Sequence, residues 1–356
     1  MTAFPTYKTA RREPAIPHKP VVDPAGWEPR EVRDVDRWSY RLTETDIGEL
    51  MDGVAGVRRA GVAIESIGPE NFPLHHLAAA LQDVRMELSD GRGIVRLQGL
   101  PIEDLDRDGA MMAYLGLGSY IGTLEPQNKY GHLIGHVKSF DDPRTKPMNR
   151  SYNSDIGSSF HTDSSDYVGL MCFGEAKRGG NSLIASAVTV YNRILAERPD
   201  MIEPLLGFYS KTRYGEERPG EVPYYKSRVF SFVDGYFSCT GVSETFLKSE
   251  NIPGVGPYTD AQKEAVAVFQ RVAAECAIEM PFRRGDIQFA SNHVIVHSRR
   301  SFEDGDGCHR HLWRLWLNDN VSPRPIQEER KERRNRGLFL SDVKRNVPLD
   351  LAEPVV

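Results

Sequence analysis

Phe160-His161-Thr162-Asp163 is the stretch of this chain whose residue types and spacing could bind a metal ion. On an extended strand residues i and i+2 face the same side, so His161 can offer an imidazole nitrogen and Asp163 a carboxylate oxygen to one ion. A third neutral donor must then come from elsewhere. Two histidines and one carboxylate on a single triangular face leave positions open, as ferrous iron needs in order to hold a bidentate co-substrate and then O₂. A closed structural zinc site would want a fourth protein ligand instead. His-x-Asp alone is a common pair, as compatible with a surface turn as with a metal site. The distal stretch Asn292-His293-Val294-Ile295-Val296-His297-Ser298-Arg299 changes that balance. It sets His297 at the end of a β-branched strand, after the turn Arg283-Arg284-Gly285-Asp286, and Arg310 and Arg314 follow on a further strand.

These motifs occur together and in order, and through them the chain resembles the taurine dioxygenase and clavaminate synthase-like branch of the iron(II)- and 2-oxoglutarate-dependent oxygenases over roughly residues 90 to 320. The motifs are His161-Thr162-Asp163, Gly285-Asp286, Asn292 to Arg299, and the Leu- and Trp-rich strand Arg310-His311-Leu312-Trp313-Arg314-Leu315-Trp316-Leu317. The resemblance implies that His161, Asp163 and His297 ligate Fe(II), and that Arg310 pairs with the distal carboxylate of 2-oxoglutarate. A planar two-pronged cation suits that task. The family places a Thr after a Gly-Gly-Asp turn on the same carboxylate; here Gly179-Gly180-Asn181 leads to Ser182, which keeps the hydroxyl. Arg314 points the same way as Arg310 on a strand, either as an anchor for an anionic substrate or as a second buried partner of the co-substrate. Tyr130, His132 and Asn153 lie where relatives carry substrate-facing loops, although ordinary loop polarity explains them equally well. The implied reaction consumes 2-oxoglutarate and O₂, releases succinate and CO₂, and hydroxylates a C–H bond of a small amino acid or related carboxylate or sulfonate. Desaturation or oxidative cyclisation would begin from the same site.

Blander readings apply to the neighbouring residues. His293, four residues before His297, would sit about 13 Å from it along a regular strand, and is expected to be a satisfied structural histidine. His309 and His311 alternate away from Arg310. Trp313 and Trp316 are expected as core or wall residues on opposite faces, and Cys308 could approach the site.

The elements that must position these residues form a mainly β core with helices around it. Residues 1–38 carry repeated proline and read as an extended arm. Thr43-Glu44-Thr45-Asp46 followed by Ile47, Leu50, Val54 and Val57 predicts a capped amphipathic helix, with others from Leu74 to Leu88 and Asp106 to Leu117. Strands are expected at 94–97, 167–173, 181–185, 286–289, 294–297 and 311–317, interrupted by helices at 186–206 and 259–278. No clean period covers 123–137. That order suits an α+β chain built on a double-stranded β-helix, or jelly roll, with flanking and inserted helices. Residues 39–322 would form one oxygenase domain, with the jelly-roll core at about 150–320, a wrapping layer before it, and a polar tail over 323–356.

The 356-residue chain, 40% hydrophobic and 27% charged with net charge −5, has ample material for a core and no field that would draw nucleic acid. No apolar run approaches a membrane span, and the N-terminus lacks a secretory h-region. Cys172, Cys239, Cys276 and Cys308 form no Cys-x-x-Cys pair, which favours reduced thiols and a cytoplasmic enzyme acting on a small molecule. A homo-oligomer stays open. Two rivals share the same residues: a zinc hydrolase with activated water, which would leave the two arginines without a task, and a non-catalytic jelly-roll binding protein, from which an intact ligand set would be expected to erode.

Overall fold

The computed structural model describes residues 12–128, 130–139, 157–213, 217, 219–242, 244–280, 282–335 and 344–348. The first half contributes β1 (Ser39–Arg41), α1 (Glu44–Ala60), α2 (Leu77–Asp90), β2 (Ile94–Gln98), α3 (Arg107–Ile121), β3 (Thr123–Glu125) and β4 (Ile134–Lys138). α1 begins as its sequence predicts: Thr43 accepts from the Asp46 amide, Asp46 accepts from the Thr43 amide, and Gly61 ends the helix at φ +64°. The central block supplies β5 (Ser158–His161), β6 (Tyr167–Gly174), β7 (Arg178–Gly179), β8 (Ser182–Ser186), α4 (Ala187–Glu197) and α5 (Ile202–Leu206). Then come β9 (Phe208–Thr212), β10 (Tyr224–Arg228), β11 (Phe230–Val233), β12 (Tyr236–Cys239), α6 (Glu244–Leu247), α7 (Asp260–Glu275) and β13 (Ile278–Met280). β14 (Ile287–Ser291), β15 (Ile295–Arg299), β16 (Phe302–Glu303), β17 (His311–Asn318) and α8 (Glu328–Asn335) close the chain.

Two sheets carry the site. A seven-stranded sheet runs β1-β2-β14-β6-β17-β3, with β4 also on β17, and a four-stranded sheet runs β13-β8-β15-β5. One apolar cluster lies between them, drawing Val168, Leu170, Leu312 and Trp316 from the first and Ile184, Ala185, Ile295 and Val296 from the second. A second cluster packs α1, α2 and α3 on the outer face of the large sheet through Leu50, Leu81, Tyr114, Phe289 and Trp313. Trp313 and Trp316 therefore do lie on opposite faces.

Several elements depart from the sequence reading. The stretch 123–137 holds two strands, and with β1 and β2 the supposed wrapping layer supplies four strands of the large sheet. Their short alternations are too brief to show a period. The single helix expected over 186–206 is two, because Pro199 starts a separate 3-10 turn between α4 and α5. Hairpins β9–β10 and β11–β12 occupy the insert, where no strands were expected. His293 lies in the turn ahead of β15 rather than on the strand.

The described parts of the N-terminal arm and of the C-terminal segment are tied down. Val21, Ala25, Trp27 and Trp38 are buried in the inter-sheet cluster, and the Trp27 indole donates to the Arg92 carbonyl at 3.0 Å. Arg324, expected on a solvated tail, is buried instead and donates to Asp23 at 2.9 Å. Asn346 donates its amide to the Gly131 carbonyl at 3.0 Å and accepts from the Leu133 amide at 3.0 Å, so residues 344–348 clasp the loop leading into β4. Burial of this kind predicts that Trp27→Ala lowers unfolding free energy by about 3–5 kcal/mol. Equilibrium denaturation checks this, and a loss under about 1 kcal/mol would mean that the arm is dispensable to the core.

Candidate metal and co-substrate site

The pairing of β15 sets the site. In register, His297 faces His161 of β5 on one side and Ile184 of β8 on the other, while Arg299 faces Ser158 and Ser182. A bulge in β5 between these two pairs sets three residue steps against two. Such a bulge re-aims side chains, and both Ser158 and His161 consequently line the same cavity. Two rows thus cross the small sheet: imidazoles in one, Ser-Arg-Ser in the other.

His161, Asp163 and His297 each present one ligand atom within 4.8 Å of the others. The imidazole rings of His161 and His297 stand 4.4 Å apart, and His297 Nε2 lies 3.7 Å from Asp163 Oδ2. His161 Nδ1 donates to the Ser159 carbonyl at 2.8 Å. That bond fixes the tautomer and leaves Nε2 with its lone pair for a metal. Asp163 Oδ2 is buried and has no hydrogen-bond partner among the described residues. A buried unsatisfied carboxylate oxygen is costly unless something binds it, so this donor set fits a divalent ion.

The second carboxylate oxygen is taken. Arg314 Nη1 donates to Asp163 Oδ1 at 3.0 Å and its Nε donates to Gln127 Oε1 at 2.7 Å, while Gln127 Nε2 donates back to the Arg314 carbonyl. Burial alone would raise the Asp163 carboxyl, but the Arg314 guanidinium, followed by the two imidazoles, holds it below its ordinary range. Burial lowers His161, and it pushes His297 down to about 3, helped by His161 beside it. Both rings are therefore neutral and ready to ligate at ordinary pH.

Backbone clamps hold the motif in place. Asn292 Oδ1 accepts from the Asp163 amide at 3.0 Å, and its Nδ2 donates to the Ser165 carbonyl at 3.1 Å. Thr162 donates its hydroxyl to the Thr240 carbonyl. Gly241 follows at φ +60°, and a Cβ there would stand 2.8 Å from the Thr162 amide nitrogen, so only glycine lets the insert return this close to the metal motif.

The cavity between the sheets encloses about 530 Å³, part of it open to solvent, and is lined by His161, Asp163, Ser182, His297, Arg310 and Arg314 together with Ser158, Gln288, Arg299, Leu170 and Leu312. Arg310 precedes β17 and donates from Nε to the Gly180 carbonyl at 3.1 Å. Its buried Nη1 has no partner among the described residues. Burial, and then the nearby Arg299 cation, lower this guanidinium to about 9, so it remains a cation at neutral pH.

The structure brings six of the nine residues singled out from the sequence to this cavity. Tyr130 is exposed, its ring tilted 5.9 Å from that of His132, which is buried against Asn128; neither lines the cavity, and that loop reaches the site through Gln127 instead. Asn153 lies outside the described residues. His293 is structural, with Nε2 2.9 Å from Asp166 Oδ1. His311 turns away to contact His136 at 2.8 Å. Cys308 is exposed on a Gly305–Cys308 turn that keeps it outside. Sequence reasoning placed Gln127 in a loop of candidate substrate contacts and quoted Arg299 and Gln288 within strands without giving either a role. For Gln288 the signal was present: a polar residue in an apolar strand, two positions after Asp286.

Two imidazoles with the ordinary value near 6.5 would cost about a hundredfold in apparent metal affinity between about pH 7.5 and about pH 5.5, because each must lose a proton to bind. Their lowered values predict a much flatter profile, within about tenfold, over that range. Titration of the metal-free protein with a divalent ion at several pH values checks this, and a full hundredfold loss would contradict it.

Comparison with known proteins agrees with this geometry. Residues 58–316 match the family model described as Taurine catabolism dioxygenase TauD, TfdA family. The chain is 29% identical over 311 residues to FR-33289 synthase of Streptomyces rubellomurinus, covering 84% of this chain and 91% of that protein. It is 27% identical over 305 residues to the taurine hydroxylase-like protein SAT17 of Stachybotrys chartarum, covering 82% and 78%. Among solved structures, asparagine oxygenase superposes with a TM-score of 0.58 at 15% identity, covering 79% of this chain and 93% of that one. The non-heme iron oxygenase OrfP, in complex with Fe and alpha-ketoglutaric acid, gives 0.58 at 14%, covering 80% and 94%. The chain belongs to the taurine catabolism dioxygenase TauD, TfdA family and is an iron(II)- and 2-oxoglutarate-dependent dioxygenase.

Proposed function

We propose that His161, Asp163 and His297 hold Fe(II), that Arg310 and Ser182 hold the distal carboxylate of 2-oxoglutarate, and that the enzyme hydroxylates an unactivated C–H bond of a small anionic substrate. The observation that carries this reading is the shape of one cavity. Three metal donors converge at one end of it, and a buried guanidinium with a spare N–H stands among hydroxyls at the other. The two sheets around it are read as the halves of a double-stranded β-helix. Bound iron with 2-oxoglutarate supplies the activation of O₂ that makes such a C–H bond reactive.

The chain's own residues bind, orient and exclude water. Asp163 contributes the negative charge that favours a divalent ion, and Arg314 fixes its rotamer through Oδ1 so that Oδ2 stays available. Leu170 and Leu312 add apolar wall to the cavity, which strengthens the charge contacts inside it. Arg314 also borders the cavity and, in this reading, attracts the acid group of the substrate. Related structures have been solved with 3-hydroxyasparagine and succinate and with (3S)-hydroxy-L-Arg. Amino acids, with related carboxylates and sulfonates, are accordingly the class to try first. Four free cysteines accord with a cytoplasmic setting.

The test is to incubate the iron-loaded protein with 2-oxoglutarate and a panel of amino acids, small carboxylates and sulfonates, and to measure substrate-stimulated succinate release. His161→Ala should abolish it, and full turnover by that variant would overturn the ligand assignment. Arg310→Ala removes a charge-assisted contact worth about 1.5–3 kcal/mol, so the 2-oxoglutarate requirement should rise about ten- to hundredfold while the iron requirement stays put. An unchanged 2-oxoglutarate requirement would take Arg310 out of that role.

A further inference from the structure

Alternation along β17 puts Leu312, Arg314 and Trp316 on its inner face, between the sheets. The Trp316 ring is buried, stands opposite Val168 of β6 in register, and has the Arg314 guanidinium 5.1 Å from its centre. That guanidinium is the one that donates to Asp163 Oδ1. Trp316 is thereby brought to the metal carboxylate along its own strand.

Two buried atoms remain unpaired there. The indole N–H of Trp316 has no hydrogen-bond partner among the described residues, and neither has Asp163 Oδ2. A buried indole N–H ordinarily finds an acceptor. The two groups are near neighbours: burial works to raise the Asp163 carboxyl, and the Trp316 N–H, after Arg314 and the two imidazoles, helps to hold it down. Trp313 gives the contrast. Its N–H is unpaired as well, but its ring lies on the opposite face of β17, in the helical cluster, stacked on Phe173 with centroids 4.2 Å apart.

A carboxylate offers about four lone-pair sites, two on each oxygen. Arg314 occupies one on Oδ1. An ion gripped together with His161 and His297 takes one on Oδ2 and leaves the other to a donor at its side. An uncharged N–H suits that place, because it orients the carboxylate without bringing a further positive charge toward the ion.

We infer that Trp316 is a positioning residue for the metal carboxylate: its indole N–H donates to Asp163 Oδ2 when that oxygen ligates the ion, so that Arg314 and Trp316, two residues apart on one strand, fix the carboxylate through both of its oxygens. The inference rests on the proposed ligand set. Trp316 acts through Asp163 and touches neither ion nor substrate.

Zinc(II), a diamagnetic divalent ion, is the probe, and loss of its binding in His161→Ala assigns it to this site. In protein labelled with nitrogen-15 at tryptophan, the indole proton signal of Trp316 should move downfield as zinc is added, while that of Trp313 stays in place. Replacing Trp27, Trp38 and Trp313 by Phe one at a time assigns the four signals, so the wild-type protein carries this measurement even if a Trp316 variant folds poorly. By calorimetry, Trp316→Phe, which keeps an aromatic face beside Arg314 and removes only the N–H edge, should weaken zinc about tenfold, and Trp313→Phe should leave it within about twofold. A stationary Trp316 signal, an unchanged zinc affinity in Trp316→Phe, or equal weakening by both variants would each show that the indole only fills space, and would overturn the inference while leaving the ligand set standing. Wild-type protein that takes up no zinc would remove the ligand set itself, and the inference with it.

Discussion

Everything at the site follows from one strand pairing, His297 of β15 opposite His161 of β5. Side chains alternate along a strand, so a slip of a single residue would turn His297 away and set Ser298 opposite His161 in its place. The apolar run Val294-Ile295-Val296 resists that slip, since its members are buried on both sides. The β5 bulge does the complementary work on the partner strand. His161, Ser182 and His297 are thus positioned by the sheet, and Asp163 and Arg310 sit within two residues of a strand end, so a rigid ladder holds them more accurately than a mobile loop could.

Charge is arranged along the cavity with the same economy. Asp163 is its anionic member and is matched by Arg314, while the buried Arg310 lines the cavity away from that pair. A single Arg–Asp pair makes the metal end nearly neutral before an ion arrives. Arg310 keeps its charge in the same low-dielectric interior, where a charge contact counts for more.

The sequence revealed the chemistry better than the architecture. His161 and Asp163 could be paired because their spacing reflects strand alternation, a property local to a few residues, and His297, Arg310 and Ser182 were named through the family resemblance. Helix α1 was legible for the same reason, through its capping box and its apolar period. What escaped was non-local. Arg324 looked like part of a solvated tail because its partner, Asp23, is 301 residues away. Strands β1 to β4 were absorbed into a supposed outer layer because pairing partners such as β14 and β17 lie far along the chain. Gln127 could not be singled out among polar loop residues until its bond to Arg314 was seen.

Residues 344–348 give this arrangement an unexpected mechanical reach. Asn346 grips the loop at Gly131 and Leu133; Gln127 at the loop's start bonds Arg314, and Arg314 bonds Asp163. Force applied near residue 346 therefore travels through two side chains to a carboxylate at the heart of the enzyme. A ligand or neighbouring molecule that pulled this clasp away would slacken the hold on Asp163 without ever entering the cavity.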